Sequence, residues 1–106
     1  MDKKTALTIL GQFKAQLERK GIRIKSLVLF GSCVADTCRE GSDIDVVVIS
    51  EDFTGKGYWE RIDILSDAIY EVFQPIEAIA MTPNEWESEQ SLIAGYARSG
   101  DVLFVQ

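Results

Sequence analysis

The sequence predicts a small α+β domain in which helices pack against a short sheet, and three observations carry that prediction. Residues 2–20 and 58–73 place apolar side chains at helical spacing. Three short apolar runs between and after these segments have the length and composition of buried strands. The chain has 106 residues, of which 46% are hydrophobic, and this suits one domain, residues 1–106, with a modest core.

The first half of the chain is predicted to form one helix and two strands. Helix one covers residues 2–20, and Gly21 follows where a helix C-cap is expected. Its apolar face consists of Leu7, Leu10, Phe13 and Leu17. Strand one comprises Ile24 and residues 27–30, and strand two is Ile44–Ile49.

The next stretch is predicted to form a loop, a second helix and a third strand. Residues 51–57 hold two glycines and form the loop, and helix two covers 58–73. Pro75 ends this helix, because proline disfavours helical geometry in the residue before it, and strand three is Ile76–Met81. The packed face of helix two is predicted to consist of Trp59, Ile62, Leu65, Ile69 and Val72.

The C-terminal residues are predicted to form a helix and a short strand. The helix covers about 84–99, in one piece or two, and Gly100 ends it. Residues 102–105 are short enough to form a last strand at the edge of the sheet.

Composition argues against several classes of protein. Seventeen acidic residues against 11 basic ones give a net charge of −6, so direct binding to nucleic acid is not expected. No run of residues has the length of a membrane span or the apolar core of a signal peptide, and we expect a cytoplasmic protein with no membrane partner. Cys33 and Cys38 are expected to be reduced structural thiols, and the alternative is a redox or metal role. The chain has no histidine, so a four-ligand zinc site would need other ligand types or a second subunit.

Two aspartates stand at the head of strand two, where charge needs an explanation. Side chains alternate along a strand, so Asp43 and Asp45 are expected on one side, roughly 6 to 7 Å apart along the backbone, with Val47 and Ile49 beyond them. Two carboxylates this close repel each other unless a divalent cation holds both, and Mg²⁺ prefers such oxygen ligands. The alternative is a turn in which Asp43 caps backbone amides and Asp45 is solvated.

A third carboxylate, Glu77, lies on strand three and shares its strand face with Ile79 and Met81. A charge on an apolar face again suggests a functional role. The alternative is a glutamate at the start of a strand that reaches water.

Glycine and serine occur together twice around these strands. Gly31 and Ser32 directly follow strand one, and Gly41 and Ser42 precede strand two. A glycine lets the backbone approach a phosphate closely, and a serine hydroxyl with nearby amides can donate to its oxygens. One such pair is usually an ordinary turn, but two pairs between apolar strands form a more specific pattern.

The segments "LVLFGS" and "GSDIDVVVIS", about ten residues apart, resemble the signature of the minimal nucleotidyltransferases of the DNA polymerase beta superfamily. The closing "LIAGYARSGDVLF" is similar to the end of the same small domains, so the resemblance covers nearly the whole chain. It implies the nucleotidyltransferase fold, a two-layer α+β arrangement whose small mixed sheet has helices packed on one face.

The resemblance also implies a site and an activity. Gly31 and Ser32 would hold the triphosphate of ATP or another nucleoside triphosphate, and Ser42 is counted with them as nucleotide-binding. Asp43, Asp45 and Glu77 would be the catalytic, metal-binding carboxylates for two Mg²⁺ ions, and Glu77 could instead act as base. Stand-alone members often pair with a small helical HEPN-type protein as antitoxins, and some transfer AMP to it.

The chain departs from the family pattern at two positions. The family's third carboxylate is usually aspartate rather than glutamate, and an arginine commonly follows Gly-Ser where residues 33–36 here contain no base. Arg39, Lys25 or Lys56 is a possible substitute contact to phosphate.

Three hypotheses therefore stand. The first is a Mg²⁺-dependent transferase that acts on a protein partner, the second is a non-catalytic antitoxin that acts by contact, and the third is a nucleotide-binding regulatory module. Residues around Trp86 and the loop 53–58 are the predicted contacts to a partner, unless Trp86 packs into the core.

Overall fold

A computed structural model describes residues 3–30, 44–88 and 101–105 of the chain. The described helices are α1 (Lys3–Arg19), α2 (Tyr58–Val72) and α3 (Pro83–Glu87). The strands are β1 (Ser26–Phe30), β2 (Ile44–Ile49), β3 (Ile76–Met81) and β4 (Asp101–Val105). None of the described helices is long and apolar enough to cross a membrane.

The four strands form one mixed sheet in the order β3-β2-β1-β4. β1 pairs antiparallel with both β2 and β4, whereas β2 and β3 run parallel. The connection between the parallel strands contains α2, which suits the crossover that parallel neighbours require. The mixed sheet and the final strand beside β1 confirm the predicted fold.

The larger core lies between the sheet and the helices α1 and α2. Side chains of both helices pack there against every second residue of β2, namely Ile44, Val46 and Val48. Five of the six residues of β2 are buried, as expected for a strand covered on both faces. The two long helices therefore pack on one face of the sheet, as predicted.

A smaller cluster lies on the opposite face of the sheet. Its buried members are Val28, Val47, Ile49 and Met81, and Ile79 and Trp86 pack against it. Asp45 and Glu77 belong to this face, because they alternate in sequence with the strand residues that point toward the helices.

The end of α1 confirms the predicted role of Gly21. This glycine has a φ of 89°, in the left-handed region, and its N–H donates to the Glu18 carbonyl at 3.0 Å. The N–H of Ile22 donates to the Leu17 carbonyl at 3.1 Å, which completes a Schellman motif. Ile24 is buried but lies outside β1, so its assignment to strand one was wrong.

The predicted packed face of α2 needs one correction. Leu65 and Ala68 are buried in the larger core, and Val72 packs against it, but Trp59 is 74% exposed. Trp59 lies six positions before Leu65, which turns it well away from the sheet at 100° per residue. Trp59 therefore lies on a second apolar side of the helix, next to the side that packs against the sheet.

Two further segments differ from the sequence prediction. In the loop after β2, a 3-10 turn over Glu51–Phe53 is capped by Ser50 and buries Phe53 completely, so Phe53 is not an exposed contact residue. α3 begins at Pro83, one residue earlier than predicted, because Thr82 and Glu85 form a capping box. It ends at Glu87, and the rest of the predicted helix lies outside the described residues.

Candidate active site

Asp45 lies one residue into β2 and is half-buried on the sheet face opposite the two long helices. The buried residues Val47 and Ile49 follow it on that face, as strand alternation predicts. In the antiparallel pairing with β1, its partner is Phe30. Gly31 follows Phe30 in the chain, and Asp43 precedes Ile44. The end of β1 after which the predicted phosphate segment follows in the sequence therefore lies beside Asp45.

Glu77 is the register partner of Asp45 on the parallel strand β3. Paired residues on neighbouring strands point to the same face, and neighbouring strands lie about 4.8 Å apart. The structure thus brings two of the predicted carboxylates side by side at one end of the sheet. The Glu77 side chain is exposed, so it can reach solvent or a bound molecule from this position.

The donor chemistry of this pair fits a hard divalent cation. Two carboxylates on adjacent strands provide oxygen ligands, and their mutual repulsion is relieved when a cation lies between them. Within the part of the chain that the structure describes, three potential metal-ligating side chains do not come together. The third predicted ligand, Asp43, lies outside the described residues, as do Gly31, Ser32 and Ser42.

Two of the possible substitute cations lie far from these carboxylates. Lys25 immediately precedes β1 and bonds through its N–H to the carbonyl of Ile49, at the far end of β2. Ile49 lies four residue steps along the strand from Asp45, which at about 3.3 Å per step is roughly 13 Å. Lys56 lies beyond Ile49 in the following loop, where its Nζ donates to the Asp52 carbonyl at 2.7 Å. Neither lysine is placed as a phosphate contact for this site, and Arg39 lies outside the described residues.

Arg61 was not singled out from the sequence, yet it joins three segments. Its Nε donates to the Lys56 carbonyl at 3.0 Å, and its terminal nitrogens donate to the carbonyls of Phe53 at 3.1 Å and Ala80 at 3.3 Å. It also pairs with a Glu85 carboxylate oxygen at 2.6 Å. An arginine within an otherwise apolar helix face was the available sequence signal. Its role is to hold the loop, β3 and α3 together.

Two carboxylates outside the candidate site are tuned by hydrogen bonds. The bond from the Arg61 side chain, more than any other contact, holds the pKa of Glu85 below its ordinary value. The backbone N–H of Arg23 donates to Asp52 at 2.7 Å and lowers the pKa of that carboxyl in the same way. Both groups favour the folded state in their ionised form.

Of the predicted partner contacts, some are exposed in the structure and others are packed against the domain. Trp86 is half-buried and packs against the smaller cluster, the alternative that the sequence left open. Tyr58 is 70% exposed and stacks edge-on against Trp59. A cleft of about 640 Å³, missed from the sequence, opens between α2 and β3. Neither Asp45 nor Glu77 lines it.

Comparisons with known proteins agree with the fold described above. A search of curated proteins found no match. Among solved structures, a Sulfolobus solfataricus protein assigned to the nucleotidyltransferases superposes with a TM-score of 0.73 at 12% identity, over 98% of this chain and 84% of that one. A toxin-antitoxin structure with AMP-PNP gives 0.62 at 19% identity, over 87% of this chain and 70% of that one. At these identities, both likenesses concern the fold.

The family comparison covers most of the chain. The model of the nucleotidyltransferase domain matches residues 10–93, which include both Gly-Ser pairs and the carboxylates Asp43, Asp45 and Glu77. Domains of this kind generally use a nucleoside triphosphate and a divalent metal. The chain belongs to the nucleotidyltransferase domain family.

Proposed function

We propose that this chain is a Mg²⁺-dependent nucleotidyltransferase that transfers AMP from ATP to a protein partner. In this proposal it is the antitoxin-type half of a pair whose other half is a small helical HEPN-type protein. The observation that carries it is the pairing of Asp45 with Glu77 across two parallel strands of a nucleotidyltransferase domain.

The proposed site divides its work between two sets of residues. Asp43, Asp45 and Glu77 would hold the divalent ions, and Gly31, Ser32 and Ser42 would contact the phosphates through backbone amides and hydroxyls. Bound there, Mg²⁺ would supply charge neutralisation at the phosphates. Asp45 and Glu77 would also orient the bound ions, because their strands direct both side chains to the same face of the sheet.

The reaction forms one phosphorus–oxygen bond and breaks another. A hydroxyl oxygen of the partner attacks the α-phosphorus of ATP, the bond from that phosphorus to the bridging oxygen of the β-phosphate breaks, and pyrophosphate leaves. The hydroxyl proton passes to Glu77. Its carboxylate is exposed on the edge strand β3 and is accessible to the acceptor hydroxyl. In this proposal the partner's surface selects the hydroxyl, because most of the described residues of this small domain form or cover its sheet.

The comparisons support the choice of nucleotide and partner. The toxin-antitoxin relative was solved with AMP-PNP, a triphosphate analogue, and its fold matches 87% of this chain. A chain with the same fold is therefore compatible with both a nucleotide and a bound protein.

The test is transfer of label from α-labelled ATP in Mg²⁺ to the proposed helical partner, taken as a small helical protein co-encoded with this chain. We expect labelling by the parent, none by Asp45→Asn, and an intact complex in both cases. Glu51→Gln is the matched control, because Glu51 is exposed at the opposite end of the sheet, and it should label normally. Equal labelling by Asp45→Asn would refute the proposal.

A second candidate function is a binding antitoxin without turnover. The lack of a base at residues 33–36, where family members commonly have an arginine, favours it. In that case, replacing Asp43, Asp45 and Glu77 together leaves neutralisation of the partner unchanged, and no nucleotide transfers label.

A further inference from the structure

Helix α2 carries a largely exposed apolar stripe beside the side that packs against the domain core. Three of its aromatic side chains are largely exposed: Trp59 by 74%, Tyr70 by 75% and Phe73 by 84%. Large aromatic residues rarely remain this exposed in a group on a monomer, and such patches commonly mark sites of protein interaction.

The stripe has the spacing of a helix-pairing seam. Its residues are Trp59, Ile62, Ser66, Ile69 and Phe73, at alternating steps of three and four. Ile62 and Ile69 are half-buried at its inner edge, where Ile69 also packs against the larger core. This is the repeat by which one helix packs along another, and it extends about 21 Å at 1.5 Å per residue. Ser66 is small and exposed at the middle, which allows a second backbone to approach closely.

The backbone at Phe73 adds an independent observation. Phe73 caps the helix with a φ of 57°, the left-handed conformation that glycine or asparagine adopts more easily. An exposed phenylalanine gains little from burial within its own chain there. Retaining a bulky ring at an unfavourable φ is consistent with a contact made outside this chain.

One side of the stripe is bordered by acidic residues. Glu60, Asp63, Asp67 and Glu71 follow one another along the helix and form an acidic ridge beside the apolar stripe. Within the described residues, a cation lies within 4 Å of only one of them, where Lys20 Nζ is 3.8 Å from Asp67. The helix's own arginine, Arg61, is turned inward toward Glu85 and three carbonyls.

The other side of the stripe adjoins the cleft of about 640 Å³ between α2 and β3. Tyr58, Ile62 and Leu65 line it from the helix, and Ala78 and Ile79 are among the residues that line it from the strand. Its volume accommodates a large side chain, and a buried anchor of this kind often supplies much of the binding energy in an interface.

We propose that this surface of α2 docks a helix of a partner protein, one with an apolar face and a basic edge. The apolar stripe meets the apolar face, the acidic ridge meets lysine or arginine, and a large side chain enters the cleft. A second copy of this chain fits less well, since two identical acidic ridges would repel each other. Neither Asp45 nor Glu77 lines the cleft, and the proposal holds whether or not the chain turns over nucleotide.

The test measures binding of two labelled helical peptides to the full chain by fluorescence anisotropy. Both peptides carry the same apolar face, and one has lysines and the other glutamates along its edge. We expect micromolar binding of the lysine peptide, at least tenfold weaker binding of the glutamate peptide, and loss of the difference at high salt. Equal binding of the two peptides, or none of either, would overturn the proposal.

Variants of the chain locate the surface. Trp59→Ala should weaken binding of the lysine peptide at least tenfold. Leu7→Ala, a control at a partly exposed apolar position on α1, should leave that affinity unchanged. Phe73→Gly should weaken binding while raising the urea midpoint, because glycine suits the left-handed cap, and this separates a docking role from a structural one. Self-association of the chain that Trp59→Ala abolishes would assign the surface to a homodimer and contradict the proposal.

Discussion

Replacing Arg61 with methionine should destabilise the protein more than any other exchange of a described charged side chain for an uncharged one. The guanidinium donates to the backbone carbonyls of Phe53, Lys56 and Ala80 and to Glu85, and the Arg61 side chain is only 17% exposed. Methionine keeps an apolar stem of similar length above the Phe53 ring, whose centroid lies 5.9 Å from the arginine Cζ. The exchange therefore removes the hydrogen bonds and the charge with little change in packing.

The magnitude follows from those contacts. Each bond to a backbone carbonyl contributes about 1 kcal/mol, and the three carbonyls together account for about 3 kcal/mol. The pair with Glu85 adds only about 0.5 kcal/mol, because the Glu85 side chain is 45% exposed and solvent screens it. The free energy of unfolding should fall by about 3 to 4 kcal/mol, a large part of the stability of a small domain.

Urea unfolding followed by circular dichroism measures this change. Arg23→Met is the matched control, since the Arg23 side chain is 87% exposed and lies 3.6 Å from Asp52, and it should cost less than about 1 kcal/mol. Arg61→Lys should recover only part of the loss, because an ammonium cannot reproduce the planar fork of donors. If Arg61→Met loses no more stability than Arg23→Met, the proposed role of Arg61 in joining the loop, β3 and α3 is wrong.

Two further predictions concern buried hydrogen bonds and pH. Ser50 is fully buried, donates to the Arg23 carbonyl at 2.7 Å and accepts from the Asp52 N–H at 3.0 Å. Ser50→Ala should therefore lower the free energy of unfolding in urea by about 1 to 2 kcal/mol. Ser66→Ala, at an exposed position, is the control and should lower it by less than about 0.5 kcal/mol. The pKa of Glu85 is lowered in the folded state, mainly by its bond to Arg61, so its contribution is present above the ordinary glutamate pKa and is lost as pH falls through the lowered one. Glu85→Gln should therefore flatten the fall in stability below about pH 4.3, and parallel curves for parent and variant would contradict this assignment.

Local patterns were sufficient to predict most of the strands. β2 and β3 have the predicted bounds, because each is a short run of apolar residues between residues that break a strand. The sequence also assigned Asp45 and Glu77 to their strand faces. It did not establish that the two strands are neighbours in a register that pairs these residues, because that pairing joins positions 32 residues apart and depends on the fold.

Tertiary packing decided the features that the sequence analysis missed. Apolar residues at helical spacing cover two sides of α2, and periodicity alone does not indicate which side meets the sheet, so Trp59 was placed wrongly. Phe53 lies in a segment with the composition of a loop, and its burial depends on the 3-10 turn that Ser50 caps. The structural role of Arg61 depends on hydrogen-bond acceptors in the loop, β3 and α3, and no local sequence pattern shows that these segments meet at its side chain.

The most direct test of the proposed site is titration of ATP into the protein by calorimetry, with and without Mg²⁺. If Asp45 and Glu77 share a divalent cation with bound nucleotide, the parent binds ATP in Mg²⁺, and Asp45→Asn with Glu77→Gln binds at least tenfold more weakly, by about 1.4 kcal/mol or more. Glu51→Gln, at the opposite end of the sheet, should bind as the parent does. Equal Mg²⁺-dependent affinity of the double variant and the parent would contradict the assignment of the nucleotide site to this pair.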